Sequence, residues 1–71
     1  MNTNKILTAQ MIEDTLALKG GMELSRLTEA LGLHPRYDTN AVMALLVDLV
    51  DSNRVYYDFN YGAYIARKGL N

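Results

Sequence analysis

The sequence predicts a mainly α domain with a small antiparallel β-hairpin: three helices followed by two strands. Three observations predict it. Apolar residues recur at helical spacing in three stretches, each bounded by cap and stop residues. The tail "RVYYDFNYGAYIARKG" holds two short β-rich runs around an Asn-Tyr-Gly turn. The chain has 71 residues, 49% hydrophobic and 21% charged, which suits one globular domain over 1–71 with its core at about 8–67.

The first helix is expected from about Thr8 to Lys19. Thr8 is placed to cap it, its side-chain oxygen accepting a backbone N–H. Met11, Ile12, Thr15 and Leu16 form a stripe, with Leu18 at its margin. Glu13 and Asp14 fall near the positive end of the helix dipole. Gly20 and Gly21 stop the helix, since glycine accepts left-handed backbone. Met22 to Leu24 then reads as a short extended piece. Ser25 is the expected cap of the second helix, where Leu27 and Leu31 share a face beside Ala30. Gly32 ends that helix and Leu33 folds back on it.

The connection "HPRYDTN" spans His34 to Asn40. Pro35 disfavours helix at His34. Asp38 or Thr39 is expected to cap a third helix over about Asn40 to Ser52. Val55, Tyr56, Tyr57 and Phe59 favour strand, Asn60-Tyr61-Gly62 is the loop, and Ala63 to Ala66 returns. Alternation puts Val55, Tyr57 and Phe59 on one side, with Tyr56 and Asp58 on the other.

"MELSRLTEALGL", a third helix and then "NRVYY" together resemble the winged helix-turn-helix pattern, three helices plus a wing, over about residues 8 to 67. The stretch "LALKGGMELSRLTEAL" is also similar to the start of the FeoC-type small proteins of ferrous iron transport. That family carries a cysteine cluster in its wing. This chain has no cysteine, so an iron-sulfur role is not carried over. The winged-helix resemblance implies DNA binding through the third helix and the wing, as in a transcription factor. It would use Arg36, Asn40, Met43, Arg54, Tyr61, Arg67 and Lys68. Asn40 would hydrogen-bond adenine, and Ala41, Met43 and Ala44 would touch thymine methyl groups.

The third helix itself argues for another partner. Val42, Leu45, Leu46 and Leu49 are spaced to face the first two helices. Ala41, Met43, Ala44, Val47 and Val50 remain, and a helix that is apolar all round is normally buried all round. A three-helix domain cannot surround its own third helix. The first expectation is therefore a non-enzymatic regulatory protein whose Ala41, Met43, Ala44, Val47 and Val50 meet a second copy, as a homodimer, or another protein. DNA is the alternative. The formal net charge of −1 counts against DNA, because basic residues supply most non-specific affinity.

The remaining residues carry little chemistry. His34 is the single histidine and reads as an ordinary turn residue, so no metal is expected. Glu13, Asp14, Glu23 and Glu29 read as solvated faces, with no nucleophile or Gly-rich loop to serve. No enzyme activity, cofactor or small-molecule substrate is expected. The apolar runs fall short of the roughly 20 residues of a membrane span. The start lacks the pattern of a secretory signal. The absence of cysteine suits a cytoplasmic setting.

Overall fold

The computed structural model describes residues 6–67. Helix α1 is Ala9–Lys19, α2 is Leu24–Ala30 and α3 is Thr39–Asp51, followed by strands β1 (Val55–Asp58) and β2 (Ala63–Ala66). Three helices and an antiparallel hairpin thus appear in the expected order. No helix among the described residues is long and apolar enough to cross a membrane.

Local chemistry sets most of the boundaries. Thr8 caps α1, its Oγ1 accepting the Met11 N–H at 3.2 Å. Gly20 stops it with φ +93°, donating its N–H to Leu16 O. Helix α2 ends in a wrap: Gly32 N–H donates to Glu29 O and Leu33 N–H to Thr28 O, with Gly32 at φ +78°. Helix α3 ends the same way. Asn53 N–H donates to Val50 O, Arg54 N–H to Leu49 O, and Asn53 takes the left-handed position at φ +64°. Asparagine tolerates that conformation better than other side chains.

Several sequence expectations are corrected. Ser25 does not cap α2, because the helix begins at Leu24 with Glu23 at the cap position. Pairing of Met22 into the sheet fixes the chain there, so the helix starts at once. Asp38 precedes α3 but gives its N–H groups no side-chain bond. Its carboxylate instead accepts the His34 N–H at 2.7 Å, closing the turn from His34 to Asp38. Glu13 and Asp14 lie beyond the first turn of α1 and so do not serve its dipole. Met11 and Leu18 are exposed, Leu18 at 74%, and the buried stripe of α1 narrows to Ile12 and Leu16. Ala30 is exposed. Phe59 lies past the end of β1 and is 88% exposed.

The core is built from the three helices and β1, with Tyr64 and Ala66 of β2 packed against it. Ile12 and Leu16 of α1, Leu27 and Leu31, Val42, Leu46 and Leu49 of α3, and Val55 of β1 are buried together. Thr28 is buried among them and stays satisfied, its hydroxyl donating to Leu24 O at 2.8 Å. Leu45 is half-buried against this cluster.

The sheet has an additional partner. β1 pairs with β2 in the register Val55↔Ala66, Tyr56↔Ile65, Tyr57↔Tyr64 and Asp58↔Ala63. On the far side of β2, Met22 and Tyr64 exchange both backbone bonds, at 3.1 and 2.9 Å. That contact explains Gly21. A Cβ there would stand 2.6 Å from Ile65 Cγ1 and 3.1 Å from Tyr64 O. Packing assigns the two long helices to different strands: α1 lies on β2, and α3 on β1.

Candidate functional site

The face with functional character lies between α3 and the hairpin. Both backbone groups of Tyr64 point to Met22. Tyr57 and Tyr64 are therefore the non-hydrogen-bonded kind of antiparallel pair, in which side chains come closest. Their ring centroids are 4.8 Å apart. Phe59 meets the other side of Tyr57 edge-on at 4.9 Å. The three rings make an aromatic ridge along the hairpin.

Opposite the ridge, Met43, Leu46, Val47, Val50 and Asp51 of α3 line a groove of about 220 Å³ with Tyr57 and Tyr64. Leu46 is buried; Val47 is 48% and Val50 40% exposed. Two corrections to the expected α3 face follow. Met43 is half-buried against the core, and the Tyr64 hydroxyl donates to its Sδ at 3.7 Å. It belongs to the wall of the groove and is not a free contact. Ala41, although exposed, lies about a third of a turn from Val47 and about half a turn from Val50, on the opposite flank. The exposed apolar side of α3 is thus Ala44, Val47 and Val50, continued by Tyr57 and Phe59. Burial holds the Tyr64 hydroxyl above the usual pKa of 10.0, with the neighbouring Tyr57 phenol adding to the shift. The hydroxyl stays protonated as the donor in the sulfur contact.

The residues expected to meet DNA are dispersed. Arg54 does not present a free charge. Its guanidinium pairs with the Glu13 carboxylate and also donates to Gln10 Oε1 at 3.1 Å, tying the hairpin base to α1. Arg67 stacks over the Tyr56 ring, 4.8 Å from its centroid. Arg67 also donates its N–H to Arg54 O, so these two residues share the C-terminal end of α3. Arg36 and Asn40 sit at the other end, exposed. Thirteen residues of helix separate the ends by roughly 20 Å. Between them α3 carries Asp48 and Asp51, both exposed, and no cation. Tyr61 is 81% exposed in the hairpin turn, beside the Asp58 carboxylate, which accepts the Asn60 and Tyr61 N–H groups. Lys68 lies outside the described residues.

Two sets of residues escaped the sequence reading. Tyr57 and Tyr64 form one wall of the groove, a relation that needs the strand register. Putting Tyr57 on the same side as Val55 was the available signal. The Arg54–Glu13 pair joins residues far apart in the chain, and no local pattern announces it. Among the described residues no group of three or more His, Asp or Glu side chains is placed to hold a metal ion.

A second hollow, of about 710 Å³, opens between the hairpin and the start of α2. Gly21, Glu23, Arg26, Tyr57, Tyr61 and Ile65 are among its lining residues. It is broad and mixed in polarity. Tyr57 is common to both hollows.

Comparison with known proteins adds no relative. No protein-family model matches the chain, and searches of curated proteins and of solved structures return no significant match.

Proposed function

We propose that this chain is a small, non-enzymatic regulatory protein of winged helix-turn-helix type whose α3–hairpin face docks on protein. Helix, paired Met22, helix, turn, helix and hairpin is the winged-helix order, with α3 in the place of the reading helix. The observation that carries the functional reading is the exposed apolar strip Ala44, Val47, Val50, Tyr57 and Phe59, which flanks the groove on an α3 without a single cation.

Magnitudes support protein over nucleic acid. Full burial of a valine stabilises by roughly 1.5–3 kcal/mol. Val47 and Val50 are nearly half exposed, so covering both returns on the order of 1–3 kcal/mol before association costs. A phosphate backbone gains nothing from this strip, and Asp48 and Asp51 would repel it.

The test pairs two measurements. Sedimentation of the wild type is followed over concentration and compared with Val47→Asp, at low and high salt. Duplex DNA of random sequence is titrated in a mobility-shift assay at low salt. The reading expects association that is lost in Val47→Asp and changes little with salt, with no DNA retardation at concentrations of order 1–100 µM. Retardation that weakens steeply with salt and disappears in Arg67→Ala overturns it in favour of DNA.

A further inference from the structure

We infer that the occupant of this face is a second copy of the chain, joined edge to edge through β1 so that the two hairpins form one continuous antiparallel sheet. The inference rests on the protein-docking reading above and specifies its partner.

The free edge comes first. Met22, β2 and β1 lie in that order across the sheet, so β1 is an outer strand. The bonding pattern fixes which of its backbone groups look outward. Tyr64 turns both its groups to Met22, and Arg67 N–H donates to Arg54 O. Bonded and non-bonded pairs alternate along an antiparallel ladder. Tyr56 and Asp58 therefore spend their backbone groups on β2, while Val55 and Tyr57 point theirs away from it. Among the described residues nothing receives them. β1 also lacks the usual protections of an edge strand, having no proline or lysine, and only Asp58 as a charge, at its end.

Self-pairing satisfies both outward-pointing residues within the strand itself in one register. Bonded pairs must join residues whose groups both point outward. An antiparallel copy that sets Val55 opposite the second copy's Tyr57 meets this condition, and by symmetry sets Tyr57 opposite Val55. Tyr56 then faces its own counterpart across the two-fold axis as a non-bonded pair. The same register places Arg54 opposite Asp58 at both ends, so unlike charges meet twice. The Arg54 side chain is 46% exposed while holding Glu13, which leaves it open to a second carboxylate.

The same symmetry covers the apolar strip. A two-fold axis perpendicular to the sheet keeps both copies' α3 helices on one side of it. Because α3 packs on β1 and α1 on β2, α3 lies toward the open edge. Each copy then brings the Val47 and Val50 side of α3 toward the axis beside the paired strands. A stable pair needs roughly 800 Å² from each copy, about one-sixth of the 4944 Å² accessible surface. Four strand residues do not supply that area alone; the side of α3 adds to it.

The chain has no cysteine, so a single introduced thiol reports proximity. Tyr56→Cys puts two thiols at the axis, where non-bonded pairs have Cα atoms about 4.5 Å apart, within disulfide range. Tyr61→Cys, exposed at the turn and outside the paired register, is the control for chance collision. Under mild oxidation at matched dilute concentration, Tyr56→Cys is expected to link on the order of tenfold faster than the control, as a preformed pair raises the effective thiol concentration. A wild-type measurement guards against a misfolded variant. Amide hydrogen exchange at Val55 and Tyr57 is expected to slow as concentration rises, while Tyr56, already bonded to β2, does not change. Association that is lost in Val47→Asp without preferential linking or this exchange pattern overturns the edge pairing and leaves the docking reading standing. A wild type that stays monomeric at millimolar concentration, with free exchange at Val55 and Tyr57, overturns the second copy as occupant. Salt-sensitive DNA retardation overturns the reading beneath both.

Discussion

Replacing Gly21 with alanine tests how the groove wall is held. The new methyl would stand 2.6 Å from Ile65 Cγ1 and 3.1 Å from Tyr64 O. Ordinary carbon contacts lie at about 3.5–4.0 Å, so Ile65 or the strand must yield by about 1 Å. Ile65 is half-buried and β-branched, so the change of χ1 that would move its γ carbon away is itself costly. Overpacking of this kind costs about 1–3 kcal/mol. For a domain of this size each kcal/mol lowers Tm by roughly 4–8 °C, so Gly21→Ala is expected to melt about 4–24 °C lower. Urea denaturation followed by circular dichroism should show a lower midpoint at unchanged slope. Combining it with Ile65→Ala removes the struck carbon. The two changes should then be non-additive by about 0.5–3 kcal/mol in the favourable direction. The remaining penalty would come from Tyr64 O. A Gly21→Ala stability within about 0.5 kcal/mol of wild type would mean that Met22 and Tyr64 do not pair this closely, and the placement of Tyr64 in the groove would fall with them.

Three further outcomes are expected. Asn53→Ala forces alanine into the left-handed position at φ +64° and should cost about 1–2 kcal/mol by chemical denaturation, whereas Asn53→Gly should be neutral or mildly stabilising. Arg54→Ala removes a surface ion pair and two donors to α1. Pairs of this type are worth about 0–1 kcal/mol, so its loss should be small, and high salt should shrink the difference between variant and wild type. Tyr64 has a folded pKa raised above 10.0, so the folded state holds its proton more tightly than the unfolded one. That contribution is full below pH 10.0 and disappears as pH rises through the folded value. Alkaline unfolding of wild type should therefore show a stability loss above pH 10 that Tyr64→Phe reduces, measured by urea midpoints at successive pH values.

The elements were legible where the controlling chemistry is local. Thr8, Gly20 and Gly32 act on the helix turn beside them, so residue type and position were enough to place them. Leu27, Leu31, Val42, Leu46 and Leu49 were readable from spacing, because a helix buries one stripe. Reading failed where distant chain decides. Ser25 has the right chemistry for a cap, but pairing of Met22 with Tyr64 starts the helix before it is reached. Met43 has the spacing of an exposed residue, yet Tyr64 arrives from the hairpin and shelters it. Arg54 looks like a free cation until α1 is laid against the hairpin base. The docking face was therefore half visible. Val47 and Val50 could be named from α3 alone, while Tyr57 and Phe59 required the register of the hairpin.

Arg54 joins three parts of the molecule at one residue. Its amide closes the end of α3 on Leu49, its carbonyl takes Arg67 N–H from the base of the hairpin, and its guanidinium reaches Glu13 on α1. Peeling the hairpin away therefore frays the end of α3 and releases α1 in the same event. Lifting the hairpin to widen the groove therefore gives up the cap of α3 and the tie to α1 together.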